Sequence, residues 1–196
     1  MQHESHYIDT RPAPSKRIRH CENGMEHHFT EAAVMIAFAM HLFSQGAKRM
    51  EIHPDSEHAR IHDIVSTLEK EGFVLKSRLG TTNWGGEYVR GALELHVSPR
   101  SGLGDISGEL NGQMIIAECK GGIINTKNSG LTSRLRRGLC EAVGQLMSRE
   151  VKNERHIAVV PNTAVANLLA SRMIGRTRLA GIEIALVEPD GSVRFQ

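Results

Sequence analysis

Apolar positions are sparse at the start of the chain and become periodic only from about residue 29. Residues 1–28 carry Pro12, Pro14, scattered basic residues and five of the eleven histidines, which predicts a flexible N-terminal arm with little core of its own. Ala32 to Met40 then run apolar without a break. Thr30 is a suitable N-cap, so a helix over about 31–46 closed by Gly46 is predicted. A helix apolar on nearly every side must be buried, in its own domain or against another subunit. A bilayer span needs about 20 apolar residues, and His41 and Gln45 come too soon for that. Met50 and Ile52 mark a short strand over Lys48–His53, and Pro54-Asp55-Ser56 reads as a turn and cap. A second helix over about 57–71 follows, with Ala59, Ile61, Ile64, Val65 and Leu68 on its apolar side and Gly72 at its end. Strands are predicted over 73–78 and 87–97, around a glycine-bearing loop that holds Trp84. After residue 124 the pattern predicts a loop to 132, a helix over about 133–151 capped by Thr132 or Ser133, and a strand over 156–160. A helix from Thr163 to about Met173 and strands over 181–187 and 193–195 complete the chain.

One segment carries more than periodicity. Asn111-Gly112 separates Gly104–Leu110 from Gln113–Lys120, and Asn-Gly between two such runs is a strong signal for a two-residue hairpin turn. With that turn, Leu110 pairs with Gln113 and Asp105 faces Glu118 in a non-hydrogen-bonded pair, where Cβ atoms are about 4.5–5.5 Å apart. Lys120, two residues after Glu118, shares its face. Opposed carboxylates destabilise a sheet unless a cation lies between them. Asp105 and Glu118 are hard oxygen ligands suited to Mg²⁺ or Mn²⁺. Lys120 would orient or deprotonate an attacking water, or stabilise developing charge. The plainer reading is a surface pair on an edge strand; the apolar run Ile115-Ile116-Ala117 argues instead for a strand covered on both faces. Cys119 points the other way and reads as a small core residue.

Gly104-Asp105, Glu118-Cys119-Lys120 and the helical Glu141-Ala-Val-Gly-Gln145-Leu-Met together resemble the PD-(D/E)xK nuclease superfamily over roughly residues 57–160, with Gly104 where the family signature has proline. The resemblance implies an α/β, restriction-endonuclease-like fold: an αβββαβ core whose mixed central sheet is flanked by helices. The helix over 31–46 and the strand over 48–53 would be additions to that core, within one domain over 29–196. It implies catalytic roles for Asp105, Glu118, Lys120 and Gln145. Mg²⁺ or Mn²⁺ would be held by Asp105, Glu118 and the Cys119 backbone carbonyl. In the resembled superfamily a carboxylate from the helix preceding the sheet often joins the site; Glu69 and Glu71 are available but each reads first as a solvated-face residue, and Glu141, one turn before Gln145, is a secondary candidate. The implied activity is metal-dependent hydrolysis of DNA phosphodiesters, in phage defence, restriction, recombination or repair. Cutting both strands of a duplex suggests a homodimer, with the 31–46 helix as one interface, or a partner protein that supplies targeting.

Composition sharpens this only locally. The chain has 196 residues and a formal net charge of +2, which suits one domain and is too mild to mark a nucleic-acid binder. Between Cys119 and Cys140, however, there is no acidic residue, while Lys120, Lys127, Arg134, Arg136 and Arg137 are basic. Beside an acidic hairpin, Lys127, Arg134, Arg136 and Arg137 read as phosphate contacts rather than a merely solvated face. RNA is a possible substrate too, although aromatic residues at 4% offer no evident stacking platform beyond Trp84. Cys21, Cys119 and Cys140 lack metal or redox spacing, and with no secretory leader in view they point to a reducing, cytoplasmic setting and no membrane. His58 and His62, with His53 nearby, have a spacing that can hold zinc but no supporting ligand motif, and read as surface or interface histidines. No P-loop or G-x-S-x-G is present. The competing reading is a catalytically silent scaffold of the same fold that binds nucleic acid or protein. The intact Asp105, Glu118 and Lys120 set counts against it.

Overall fold

In the computed structural model, which describes residues 5–55, 60–150 and 152–196, Asn111 and Gly112 both have positive φ, 54° and 79°. That is the backbone of a type I′ turn, and it joins β7 (Ile106–Leu110) to β8 (Gln113–Cys119) with Leu110 opposite Gln113 and Ile106 opposite Ala117. The strand expected over 87–97 is instead two strands, β5 (Gly86–Arg90) and β6 (Leu93–Val97), with Arg90 paired to Leu93. Positive φ at Gly91 alone allows this second two-residue turn, which alternation by itself did not reveal.

The described chain is an α/β protein with four helices, a mixed nine-stranded sheet and a small antiparallel sheet. The remaining strands of the large sheet are β3 (Arg49–Ile52), β4 (Val74–Arg78), β10 (Glu154–Pro161), β11 (Ile182–Val187) and β12 (Val193–Phe195). Their order is β12-β11-β10-β8-β7-β3-β6-β5-β4. β8, β10 and β11 run parallel to one another, as do β3 and β6; the other neighbours are antiparallel. The helices are α1 (Glu31–Ser44), α2 (Ile64–Lys70), α3 (Ser129–Met147) and α4 (Ala164–Leu179). Ile115, Ala117 and Cys119 of β8 join α1 in one hydrophobic cluster, while Ile116 joins α3 and α4 in another. By the two-residue period, Glu118 and Lys120 therefore lie on the α3 side.

Three expectations change. First, α1 is no addition to the core. Thr30 caps it by accepting from the Ala33 N–H at 3.2 Å, and the helix packs across β3, β7, β8, β10 and β11. Ala32 to Ala39 are each no more than 1% exposed, so this apolar run is buried within its own chain and offers no face to a second copy. β3 is likewise internal, between β7 and β6; the extension of the sheet is formed by β4, β5 and β6. Second, α3 begins earlier than expected because Asn128, not Thr132 or Ser133, caps it, accepting from the N–H groups of Gly130 and Leu131. Asp63 caps α2 in the same manner, accepting from Ser66; the expected start of that helix, including His58, falls partly outside the described residues.

Third, the N-terminal stretch is more than an arm. β1 (Asp9–Pro12) and β2 (Met25–Phe29) form a three-stranded sheet with β9 (Gly122–Ile123), and Tyr7 is buried. Polar clasps compensate for its poor apolar content. His62, 2% exposed at its side chain, places Nδ1 2.8 Å from Asp9 Oδ2 and Nε2 2.8 Å from Thr67 Oγ1. The Tyr7 hydroxyl donates to Glu71 at 2.5 Å. His62→Ala leaves the buried Thr67 hydroxyl without its ring partner, and is expected to lower the unfolding free energy by about 2–3 kcal/mol. A urea titration with an unchanged midpoint would contradict that role. Among the described residues, no helix is long and apolar enough to cross a membrane.

Candidate functional site

The ladder ends at Ile106 and Ala117, and Asp105 lies in the bend just before β7, with Glu118 next along β8, so the two meet at the open end of the strand pair. Asp105 Oδ2 accepts from the Cys119 backbone N–H at 2.7 Å. In an extended strand the carbonyl of a residue points to the same edge as its N–H. The Cys119 carbonyl therefore faces Asp105 too, while its thiol is fully buried and pushed up by that burial. Glu118 is 5% exposed, and its Oε1 accepts from Arg149 Nη2 at 2.6 Å.

A third carboxylate comes from an unexpected place. Gly121 follows Lys120 and packs directly on the entry to α1; a Cβ there would stand 2.4 Å from the Glu31 N and 2.5 Å from the Phe29 O. The next residue, Gly122, pairs with Phe29. These contacts bring Glu31, the first residue of α1, beside the hairpin, where its Oε2 lies 3.5 Å from Lys120 Nζ. Glu31 has a readable signal in hindsight: it is the only acidic residue of an otherwise apolar helix. Glu69 and Glu71 do not take this place. Glu69 is exposed, and Glu71 is held by His6, Tyr7 and Arg90.

The carboxylates line a cleft of about 360 Å³ together with His53, Asp55, Arg100 and Arg149. Burial raises the Asp105 carboxyl to about 7, against the Cys119 N–H that lowers it and with Glu31 and Glu118 raising it further. Burial also raises Glu31, opposed by Lys120. Burial lowers the ammonium of Lys120, but Glu31, Asp105, Glu141 and Glu118 outweigh it and hold the group protonated. Lys120 is therefore positively charged beside these carboxylates.

The two ends of the expected site open differently. Lys120 lines a second cleft of about 350 Å³ with Arg134, Arg137 and Glu141, and the Lys120–Glu31 pair connects it to the first. Gly138 of α3 lets the lysine pass, since a Cβ there would meet Lys120 Cβ at 3.1 Å. Arg134 and Arg137 thus join the site. Arg136 and Lys127 are exposed and line neither cleft. Gln145 is exposed, lines neither cleft, and its side chain makes no hydrogen bond among the described residues. Trp84 is 6% exposed, so it offers no open face for base stacking.

Two carboxylates and one carbonyl, with no thiolate, suit a hard divalent cation that keeps several waters. The desolvated Asp105 carboxyl and the buried Nε of Arg149, which has no hydrogen-bond partner among the described residues, are consistent with a cleft built for charged ligands. Among the described residues, no three His, Cys, Asp or Glu side chains are grouped tightly enough to form a metal cage. His62 is taken by Asp9 and Thr67, which leaves it no zinc-binding nitrogen. Comparison of the chain with protein-family models, curated proteins and solved structures returns no match.

Proposed function

We propose that this protein is a metal-dependent endonuclease that hydrolyses DNA phosphodiesters, with a restriction-endonuclease-like core of the PD-(D/E)xK type. The observation that carries the reading is the meeting of Asp105 and Glu118 in one cleft at the end of the hairpin, with Glu31 and the charged Lys120 beside them. The order of elements supports it. With α2 and β4–β6 set aside as an insertion, and the two-residue β9 assigned to the small sheet, α1, β3, β7, β8, α3 and β10 run αβββαβ. Asp105, Glu118 and the Cys119 carbonyl would hold Mg²⁺ or Mn²⁺, which when bound supplies Lewis acidity toward the scissile phosphate. Lys120 orients the attacking water or stabilises the charge that develops on the phosphate. Arg134 and Arg137 hold the backbone beyond Lys120. Phage defence, restriction, recombination and repair all suit this chemistry, and a second copy or a targeting partner would place a site on each strand.

The silent-scaffold reading draws on one observation: Glu118 is satisfied by Arg149 and Lys120 pairs with Glu31, as static structural pairs would be. Cleavage assays separate the two. Supercoiled plasmid, linear and branched duplex, single-stranded DNA and RNA are incubated with Mg²⁺, Mn²⁺ or EDTA, using wild type and Lys120→Ala. Metal-dependent cutting that falls by a factor of about 10³ in the variant is expected, the size of losing one preorganised charge-stabilising group. Neither cutting nor Asp105-dependent Mn²⁺ binding would leave the scaffold reading standing.

A further inference from the structure

Arg149 lies one residue beyond Ser148, the C-cap of α3, and its N–H donates to the Leu146 carbonyl at 3.2 Å. Its side chain turns back to the cleft that holds Asp105, Glu118 and Glu31. The Nη2–Oε1 bond of 2.6 Å is the one side-chain hydrogen bond of Glu118 among the described residues. The other informative atom is Nε of Arg149, which is buried and has no hydrogen-bond partner among the described residues. Buried donors are nearly always satisfied, and a guanidinium presents its donors as a rigid planar fork. The neighbouring carboxylates are engaged elsewhere: Asp105 with the Cys119 N–H and Glu31 with Lys120. Where it now sits the guanidinium thus leaves one donor unused, and the residue lines an open cleft into which it can turn. A planar, bidentate fork is the side chain best matched to phosphate oxygens.

We propose that Arg149 and a divalent cation are alternative partners of Glu118, and that the displaced guanidinium holds a phosphate oxygen of the nucleic acid. This deepens the nuclease reading and rests on it. A cation on either oxygen of Glu118 stands close to a guanidinium on Oε1, and the two positive charges repel each other in a partly buried site. Ligation of a cation by Glu118 therefore turns Arg149 away from the carboxylate, while its backbone stays tied to the end of α3. The helix C-terminus favours a cation at that position, so the guanidinium keeps its charge close to the cleft. The consequence is linkage: metal strengthens phosphate binding through Arg149, and nucleic acid strengthens metal binding by the same factor.

The test measures Mn²⁺ binding by titration calorimetry to full-length wild type, Arg149→Met, Arg149→Lys and Asp105→Asn, with and without a duplex oligonucleotide, all on a Lys120→Ala background that blocks turnover. Removing the competing charge in Arg149→Met is expected to tighten Mn²⁺ alone by about tenfold, the scale of one partly screened charge pair. The mutual enhancement between Mn²⁺ and duplex should disappear in that variant. Arg149→Lys keeps a charge but not the fork; its Mn²⁺ affinity should stay near wild type while the enhancement weakens. Asp105-dependent Mn²⁺ binding that is the same in Arg149→Met as in wild type would overturn the Arg149 inference and leave the nuclease reading intact. Mn²⁺ binding that is absent, or indifferent to Asp105→Asn, would overturn both.

Discussion

Asp105→Asn is expected to stabilise the protein at pH 8 and to abolish its proposed DNA cleavage. Asp105 is raised from its ordinary 3.8 to about 7, first by burial and then by Glu31 and Glu118. Between about pH 4 and pH 7 the folded protein keeps a proton that the unfolded chain has released. Folding stability therefore falls as pH rises through that window, and the full penalty is present above it. Asparagine carries no charge to bury, and its side-chain oxygen can still accept from the Cys119 N–H. At about 1.4 kcal/mol per pKa unit, the gain should reach a few kcal/mol at pH 8 and vanish below pH 4. Urea unfolding of both proteins at the two pH values measures this; a difference that does not change with pH would refute the account. A ligating carboxylate must give up its proton, so wild-type Mn²⁺ affinity should weaken as pH drops below about 7. A buried carboxylate whose ionisation costs stability, in a cleft beside two others, is the pattern of a functional cluster.

The second large effect concerns the joint between the hairpin and α1. Gly121→Ala should destabilise the protein by about 3 kcal/mol or more, the upper end of overpacking penalties. The added Cβ would meet Glu31 N, Phe29 O and Thr30 C at 2.4–2.5 Å, all backbone atoms, so no side-chain rotation relieves the clash. The β2–β9 pairing must open and carry Glu31 away from Lys120, so Mn²⁺ binding should weaken as well. Gly144→Ala is the control: a Cβ there meets nothing within 4 Å, and alanine in mid-helix should stabilise by about 0.5–1 kcal/mol. Wild-type stability in Gly121→Ala would mean that this contact does not hold the site together.

These effects divide along the line between local and long-range information. The hairpin was legible because its turn chemistry and its two-residue alternation are local: Asn111-Gly112 defines the register from Leu110–Gln113 to Ile106–Ala117, and that brings Asp105 and Glu118 to the same end of the strand pair. The burial of α1 was legible from its unbroken apolar run, and the caps at Thr30 and Thr163 from residue type. Nothing local said that the same helix lies across the strands of the site, because that depends on which face of the sheet it covers. The N-terminal stretch looked poor in core residues. It is held by side-chain bonds from Asp9, Tyr7 and His62 between partners more than fifty residues apart, which no window of sequence contains. Glu31 and Arg149 escaped for the same reason. Each is unremarkable in its own segment, and each reaches the hairpin only through a non-local contact: the packing of Gly121 on the start of α1, and the return of a side chain from the end of α3. Gln145 shows the converse, for a position that fits a motif in sequence lies on an exposed helix face in space. Local chemistry thus determined the paired carboxylates and the lysine, because strand alternation and turn type act over a few residues. Tertiary packing alone decided which further charges surround them, because those distances are set by how helices and a second sheet close over the strand ends.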